Sequence, residues 1–268
     1  MLTHTFCHLP GIGPAKEQQL WDRGILTWEQ ALISSDTQAL CPGLLESTDR
    51  LDRGDAAYFA NRLSSGQQYR LFKSFQHTAV YLDIETTGLS PWDEITTIAL
   101  YDGKKVRYYV QGDNMEKFEE DIKDYGLIIT FNGKTFDLPF LRSRLNCKLD
   151  QAHIDLRYVL AGLGFKGGLK KCEKAMGINR GDLDGVDGSF AVILWHEYRK
   201  TGNSHALETL LAYNIEDVIN LETLMVQAYN MKIREMDFVG PLPDPAGMVN
   251  PLSPDLNLVN RLRPSFCF

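Results

Sequence analysis

The chain has 268 residues, 44% of them hydrophobic, and a formal net charge of −7, which suits one or two globular domains with a buried core. No apolar run of about 18 residues occurs, so no membrane span is expected. The start "MLTHTFCHLPGIG" lacks the basic and apolar regions of a signal peptide. Five cysteines (7, 41, 147, 172 and 267) form no C-x-x-C pair, which is typical of reduced thiols, and we expect a cytoplasmic protein.

Residues 1–76 are predicted to form a helical domain. In "GIGPAKEQQLWDRGI", Pro14 suits a first helical turn and Gly24 a helix end, and "WEQALIS" and "DAAYFANRLSS" predict further helices. The stretch "LPGIGPAKEQQL" resembles a helix-hairpin-helix element, in which Gly11 and Gly13 would let backbone N–H groups approach a phosphate. Simple helix packing explains the pattern equally well, because seven Lys/Arg against eight Asp/Glu leave this region nearly neutral.

From about residue 78 the pattern alternates between strands and helices. "TAVYLDIE", "LIITFN" and the start of "HIDLRYVL" predict strands, and "EITTIALYDGKKVRYYV" predicts a hairpin turning at Asp102-Gly103. "NMEKFEEDIKDY", "FDLPFLRSRLN" and the long stretch "HALETLLAYNIEDVINLETLMVQAY", capped by Asn203 or Ser204, predict helices. Residues 77–232 are therefore predicted to form an α/β domain with a mixed sheet.

Residues 233–268 are predicted to form a Pro-rich C-terminal extension, since six of the eleven prolines lie there. We expect this extension to be extended and irregular. It either wraps the body or binds a protein partner, and its apolar stretches favour wrapping.

Two carboxylates stand at the end of the first strand, in "YLDIETTGLS". Asp83 and Glu85 are two residues apart, so they point to the same face of the strand and repel one another. A divalent cation such as Mg²⁺, which prefers oxygen ligands, would relieve that repulsion. The alternative is a pair of ordinary charged residues at a strand end.

Two further segments carry acidic or phenolic side chains. Asp137, in "TFNGKTFDLPFL", lies near a strand-to-helix junction, where a helix N-cap is the alternative role. Tyr213 and Asp217, in "LLAYNIEDVINL", are four residues apart and therefore share one face of a helix. A packed tyrosine beside a solvated aspartate is the alternative there.

These segments together resemble the DEDD superfamily of 3′–5′ exonucleases, which have an RNase H-like fold. "DIETTGL" matches the D-x-E motif, Asn132 to Asp137 match N-x-x-x-[F/Y]-D, and Tyr213 to Asp217 match Y-x-x-x-D. In the related subclass a histidine lies five residues before the last aspartate. Ala212 occupies that position here, so the sequence resembles the tyrosine (DEDDy) subclass, and within it the bacterial YprB-like branch.

The resemblance implies a function and a set of residue roles. Asp83, Glu85, Asp137 and Asp217 would hold two divalent cations, Mg²⁺ or Mn²⁺, and Tyr213 would position the attacking water. A tyrosine pKa near 10 makes it a poor base, so the metal would activate the water. The substrate would be the 3′ end of a single-stranded nucleic acid, with DNA favoured over RNA because of the N-terminal element.

The resemblance also implies contacts with the substrate. Backbone groups near Thr86 and Gly88 would contact the terminal nucleotide, Leu89 would wedge against its base, and Asn132 belongs to the second motif. Lys170, in a basic segment with nine Lys/Arg against four Asp/Glu between residues 134 and 174, follows a Gly-Gly turn at a helix start and could meet phosphates. Surface lysines are the alternative, and Asp155 in "HIDL" is predicted to be an N-cap rather than a fifth ligand.

Two other functions remain compatible with the sequence. One is a non-catalytic nucleic-acid-binding module on the same fold, which loss of a ligand residue would favour, although none is lost here. The other is an RNA-directed exonuclease or an RNase H-type endonuclease, which shares fold and metals. The endonuclease lacks the Y-x-x-x-D pattern.

Overall fold

The structure is a computed structural model that describes residues 1–90, 92–183 and 186–263. Cys267 and the end of the Pro-rich extension lie outside these residues. Within them, Cys7, Cys41, Cys147 and Cys172 are free thiols, as predicted. No helix in the described ranges combines the length and the apolar character that crossing a membrane requires.

A five-stranded mixed sheet forms the centre of the molecule. Its strands are β1 (Ala79–Thr86), β2 (Ile95–Tyr101), β3 (Val106–Val110), β4 (Leu127–Thr130) and β5 (Ala152–Asp155), arranged in the order β3-β2-β1-β4-β5. The β1–β2 and β2–β3 pairs are antiparallel, and the β1–β4 and β4–β5 pairs are parallel. The predicted strands and hairpin are confirmed, with Gly103 at φ +83°, a left-handed conformation that glycine adopts without strain.

Helices surround this sheet. They are α1 (Pro14–Asp22), α2 (Trp28–Ile33), α3 (Cys41–Asp52), α4 (Ala56–Ala60), α5 (Phe72–Phe75), α6 (Phe118–Asp121), α7 (Asp137–Arg144), α8 (Leu156–Ala161), α9 (Leu169–Ala175), α10 (Gly188–Thr201), α11 (Ser204–Ile233) and α12 (Leu256–Leu262). Asn203 caps α11 through its side chain, as predicted. "NMEKFEEDIKDY" is helical only in short pieces, because 3₁₀ turns flank α6.

The two faces of the sheet are buried by different helices. Alternate β1 residues Val80, Leu82 and Ile84 pack with α6 and α7 in one hydrophobic cluster. Ala79 and Tyr81 face the other way, into a larger cluster that includes α8, α10, α11 and the N-terminal helices. The sheet is thus covered on both sides, and α11 lies against the face that carries Asp83 and Glu85.

The N-terminal segment is helical, as predicted, and its side chains belong to that larger cluster. Pro14 starts α1, and Gly24, at φ +79°, follows its end. One buried ion pair, between Arg70 and Glu17 at 2.6 Å, ties the segment together. The division at residue 76 stays a prediction.

The C-terminal extension lies on the body over its described part. Asn250 Nδ2 donates to the Ala212 carbonyl at 2.7 Å, and the backbone N–H of Asp255 donates to Thr209 Oγ1 at 3.0 Å. The predicted irregular path is interrupted by α12, because the Asp255 side chain caps the N–H of Leu258 and no proline follows until residue 264.

Candidate active site

The carboxylates of β1 lie at the end of the central strand. A shift in register occurs between Glu85, paired with Thr97, and Thr86, paired with Ile95, so that Thr96 of β2 is the extra residue of a bulge. Such bulges bend a strand and redirect its side chains, and they recur next to active sites. Asp83 is half-buried, and Glu85 is 8% exposed.

Asp217 joins these two side chains from α11. Asp83, Glu85 and Asp217 each place one oxygen so that all three atoms lie within 4.8 Å of one another. Carboxylate oxygens are the ligands that Mg²⁺ and Mn²⁺ take, and a divalent cation would offset the repulsion among them. The donor set therefore fits the predicted metal.

Asp137, at the start of α7, lies beside these three carboxylates but outside the set whose oxygens lie within 4.8 Å. It is 3% exposed, and its Oδ1 accepts a hydrogen bond from the backbone N–H of Ile84 at 3.2 Å, between the two β1 carboxylates. Phe136, not Asp137, holds the N-cap position, so the alternative N-cap role is wrong. The carboxylates from all three sequence motifs therefore meet at one edge of the sheet.

The electrostatics of this group are dominated by burial. Burial raises the pKa of Asp83 and of Glu85 well above their ordinary values, and the neighbouring Asp217 and Asp137 raise both further. Burial also raises the pKa of Asp137 to about 7. Full ionisation of the group therefore needs a counter-charge.

Tyr213 lies one helical turn before Asp217 on α11. Burial, with a smaller contribution from Asp217, raises the pKa of its hydroxyl above the ordinary value of 10.0. The phenol is therefore protonated at neutral pH and can donate a hydrogen bond but cannot act as a base. Lys170 Nζ lies 4.7 Å from the centroid of the Tyr213 ring, a cation–π distance.

Lys170 also lines a basic pocket at the start of α9. This pocket, about 570 Å³ in volume, is bordered by Lys171, Lys174 and Arg180 as well. The ammonium nitrogen of Lys170 is buried and has no hydrogen-bond acceptor among the described residues, and burial lowers its pKa. This cation thus lies next to the carboxylates, and its contact with a phosphate stays a prediction.

Two residues of the site were missed by sequence reasoning. Asn214 Nδ2 donates to Asp83 Oδ2 at 2.7 Å, while its Oδ1 accepts from Thr97 Oγ1 at 3.0 Å. Arg180 pairs with Asp217 and lies 37 positions away in the chain. Asn214 follows Tyr213 directly and could have been tested as a neighbour of the motif, whereas no local signal identifies Arg180.

A cleft continues from the carboxylates along the loop after β1. Thr86, Gly88 and Leu89 line this cleft, about 510 Å³ in volume, together with Phe136 and the start of α10. Asp93 Oδ1 accepts from Thr87 Oγ1 at 2.9 Å, and a Cβ added at Gly88 would come within 2.6 Å of the same carboxylate.

A side chain at position 88 would therefore displace the Asp93 carboxylate, which also accepts from the backbone N–H of Ser90. Leu89 and Trp92 stand out from this loop, 85% and 86% exposed. The predicted contact residues of β1 and its loop are thus brought together beside the carboxylates.

Asn132 lies in the loop after β4, at φ +69°. Its side-chain oxygen accepts hydrogen bonds from Thr135 Oγ1 at 2.8 Å and from Arg157. Asp155 accepts from the backbone N–H groups of Asn132 and Arg157, at 2.8 and 3.0 Å. The predicted N-cap role of Asp155 is confirmed, while the Asn132 side chain holds its own loop and its contact with substrate stays a prediction.

Gly11 and Gly13 belong to the N-terminal segment and not to this group. Both are exposed, and a Cβ added at either would meet no atom within 4 Å. Gly11 adopts φ +76°, and its carbonyl accepts from Lys16 Nζ at 2.9 Å. Among the described residues, the helical element before this stretch is a three-residue 3₁₀ turn, Leu2–His4, and the resemblance to a helix-hairpin-helix element stays a prediction.

Comparisons with known proteins identify a family and several similar solved structures. The family model RNase_H_2, described as RNase_H superfamily, matches residues 80–229, more than half of the chain, and confirms the predicted RNase H-like fold. A search of curated proteins gives no significant match. The family B DNA polymerase from the hyperthermophilic archaeon Pyrobaculum calidifontis aligns with 58% of this chain at 16% identity and a TM-score of 0.43. This chain covers 24% of that polymerase's length.

Proposed function

This chain belongs to the RNase_H superfamily, which supports a nuclease-type function, and we propose that it is a metal-dependent 3′–5′ exonuclease acting on single-stranded nucleic acid. The proposal includes the tyrosine subclass and the YprB-like branch. It rests mainly on one observation, the meeting of Asp83, Glu85 and Asp217 oxygens within 4.8 Å of one another. A binding module without catalysis would have no need of that costly group of buried like charges.

The residues of the chain would hold the cations and orient the reactants. Asp83, Glu85, Asp137 and Asp217 would share two divalent cations, Mg²⁺ or Mn²⁺. When bound, such cations neutralise the phosphate, activate a water and stabilise the leaving oxygen. Tyr213, protonated because burial raises its pKa, would donate a hydrogen bond that orients a reactant.

The cleft beside Glu85 suits the last nucleotide of a strand. Its lining by Thr86, Gly88 and the exposed Leu89 offers backbone groups and an apolar wedge, and Phe136 adds an aromatic surface. Lys170, buried and without an acceptor among the described residues, would meet a phosphate. A strand end entering this cleft would bring its scissile phosphate to the carboxylates.

DNA is the proposed substrate in preference to RNA. The support is the resemblance of the N-terminal stretch to a helix-hairpin-helix element, in which the exposed Gly11 and Gly13 could let backbone N–H groups meet a phosphate. Asn132 is proposed as a further contact of the terminal nucleotide. We also propose a cytoplasmic location and the three-part division of the chain. A protein partner for the C-terminal extension is a further proposal.

Metal-dependent hydrolysis tests the proposal directly. Wild-type protein should degrade a labelled single strand with Mg²⁺ or Mn²⁺ and be inactive in EDTA, while Glu85→Gln should lose activity. Because burial and neighbouring carboxylates raise the pKa of Glu85 well above 4.5, its charge destabilises the metal-free fold increasingly above that pH. Glu85→Gln should therefore melt higher than wild type in EDTA at pH 8, and this difference should vanish near pH 4.

Glu208→Gln, which changes an exposed carboxylate of α11, is the matched control and should keep full activity. Wild-type levels of hydrolysis by Glu85→Gln would refute the assignment of the site. Parallel DNA and RNA strands give the substrate preference.

A further inference from the structure

A buried network of polar side chains stands behind Asp217. Arg180 Nε and Nη2 donate to Glu173 Oε2 and Oε1, at 2.6 and 2.9 Å, and Nη2 also donates to Asp217 Oδ1. Asn220, one turn after Asp217 on α11, donates to Glu173 Oε1 at 3.0 Å. The side chains of Arg180 and Glu173 are 4% and 1% exposed, so this is an interior network and not a surface ion pair.

The network fixes the orientation of Arg180, whose guanidinium carbon also lies 5.6 Å from the centroid of the Tyr213 ring. Glu173 takes two of its N–H groups in a forked pair, which fixes the guanidinium plane. The fixed plane then presents Nη2 to one oxygen of Asp217. Its Nη1 is buried and has no acceptor in the described ranges, so Asp217 is the contact through which this cation reaches the carboxylate group.

The charge of Arg180 competes with a metal ion for the same carboxylate. Burial opposes its protonated form, but Asp217 and Glu173 raise the pKa of the guanidinium, so it stays charged. It occupies Oδ1 of Asp217, and its positive charge adds to the repulsion that a divalent cation meets at this end of the group. Asp83, at the other end, has the neutral Asn214 as its donor.

We propose that Arg180, held by Glu173, is a positioning residue that fixes Asp217 and restrains the affinity of the Asp217 end of the site for a divalent cation. The inference rests on the proposed function. The cation at this end would then bind firmly only when a substrate phosphate adds its negative charge. Without nucleic acid the site would hold that cation weakly.

The test measures the binding of Mn²⁺ to the protein without nucleic acid. Calorimetry, or electron paramagnetic resonance of free Mn²⁺, reports the binding. Arg180→Met alone would leave Glu173 buried and unpaired, so the main variant is Arg180→Met with Glu173→Gln, whose amide oxygen still accepts from Asn220. We expect the weaker Mn²⁺ site to tighten by about tenfold or more, because a unit charge within a few ångströms of a divalent ion is removed. Mn²⁺ should also raise the melting temperature more than in wild type.

The chain contains a matched control for this variant. Arg70 and Glu17 form an equally buried pair, 4% and 1% exposed, in the N-terminal segment. Arg70→Met with Glu17→Gln should lower the melting temperature without changing Mn²⁺ affinity. A purely structural role for Arg180 predicts the same result for both double variants.

Two single variants keep the proposal testable if the main variant does not fold. Arg180→Gln removes the charge and keeps a donor, so it should tighten Mn²⁺ binding. Arg180→Lys keeps the charge, so its Mn²⁺ affinity should stay within about threefold of wild type. Unchanged or weaker Mn²⁺ binding in a folded neutral variant overturns the role of Arg180. Absence of Mn²⁺ binding in wild type and in the folded neutral variants alike overturns the proposed function itself, and the inference with it.

Discussion

Asn214 is the side chain whose removal should separate activity from stability most clearly. It is fully buried and joins the sheet to the site, because it accepts from Thr97 and donates to Asp83. Asn214→Leu keeps the approximate volume and removes both hydrogen bonds. The Thr97 hydroxyl then loses its acceptor, which costs about 1–3 kcal/mol of unfolding free energy. For a chain of this size, each kcal/mol of lost unfolding free energy lowers the melting temperature by roughly 2–4 °C.

The effect on hydrolysis should be larger than that loss of stability implies. Donors that orient a metal-binding carboxylate are worth about 10–100-fold in metal affinity or activity. We therefore expect kcat to fall about 10–100-fold for Asn214→Leu at a temperature where the variant is fully folded. Thr97→Val is the matched control, because it removes the outer hydrogen bond and leaves the one to Asp83.

The assay is steady-state hydrolysis of a short labelled single strand with saturating Mn²⁺, beside thermal melts of the same preparations. Thr97→Val should lose stability but retain most of the activity. Equal losses of activity in Asn214→Leu and Thr97→Val would refute the reasoning, since the bond to Asp83 would then carry no special weight. Wild-type activity in folded Asn214→Leu would do so as well.

Tyr213, Trp92 and His8 can each be tested by a single substitution. Tyr213→Phe should lower kcat about tenfold or more without moving the alkaline limb of the pH–rate profile, because the phenol is protonated throughout the working range. Trp92 is 86% exposed, whereas the other three tryptophans, Trp21, Trp28 and Trp195, are at most 9% exposed. Excess single-stranded DNA in EDTA should therefore quench the intrinsic fluorescence of wild type but not that of Trp92→Phe. Burial lowers the pKa of His8 from 6.5 to about 4, so the unfolded chain binds a proton first as pH falls. In urea unfolding, wild type should therefore lose about 2 kcal/mol more stability than His8→Gln between pH 7 and pH 5.

Local patterns were sufficient to predict most of the sheet. β1 and β4 are short apolar runs that end at polar motifs, and Asp102-Gly103 is a strong turn signal, so both the strands and the hairpin could be predicted. The long helix α11 has enough turns for its periodicity and its Asn203 cap to be clear. The helix predicted over "DAAYFANRLSS" is only five residues long, because packing within the N-terminal segment, not propensity, sets its end.

In the site, as in the sheet, residues related by local geometry could be predicted, and residues related by tertiary contacts could not. Strand geometry places Asp83 and Glu85 on one face, and helix geometry does the same for Tyr213 and Asp217, so the shared face of each pair could be predicted from spacing. Their metal role could be predicted only from the three motifs together. Asn214 points inward on the same helix as Tyr213, but its two partners lie on β1 and β2. Arg180 meets Asp217, and Glu173 meets Asn220, only through tertiary folding, and spacing in the sequence does not indicate such contacts.

The product pattern on a strand labelled at its 5′ end is the most direct test of the central claim. Wild-type protein with Mn²⁺ should give a ladder that shortens with time from full length, one nucleotide after another, and EDTA should abolish it. Internal cuts at early times would contradict an exonuclease and favour an endonuclease, release of the label as a mononucleotide would contradict the 3′–5′ direction, and an intact strand in the presence of bound protein would leave only a nucleic-acid-binding role.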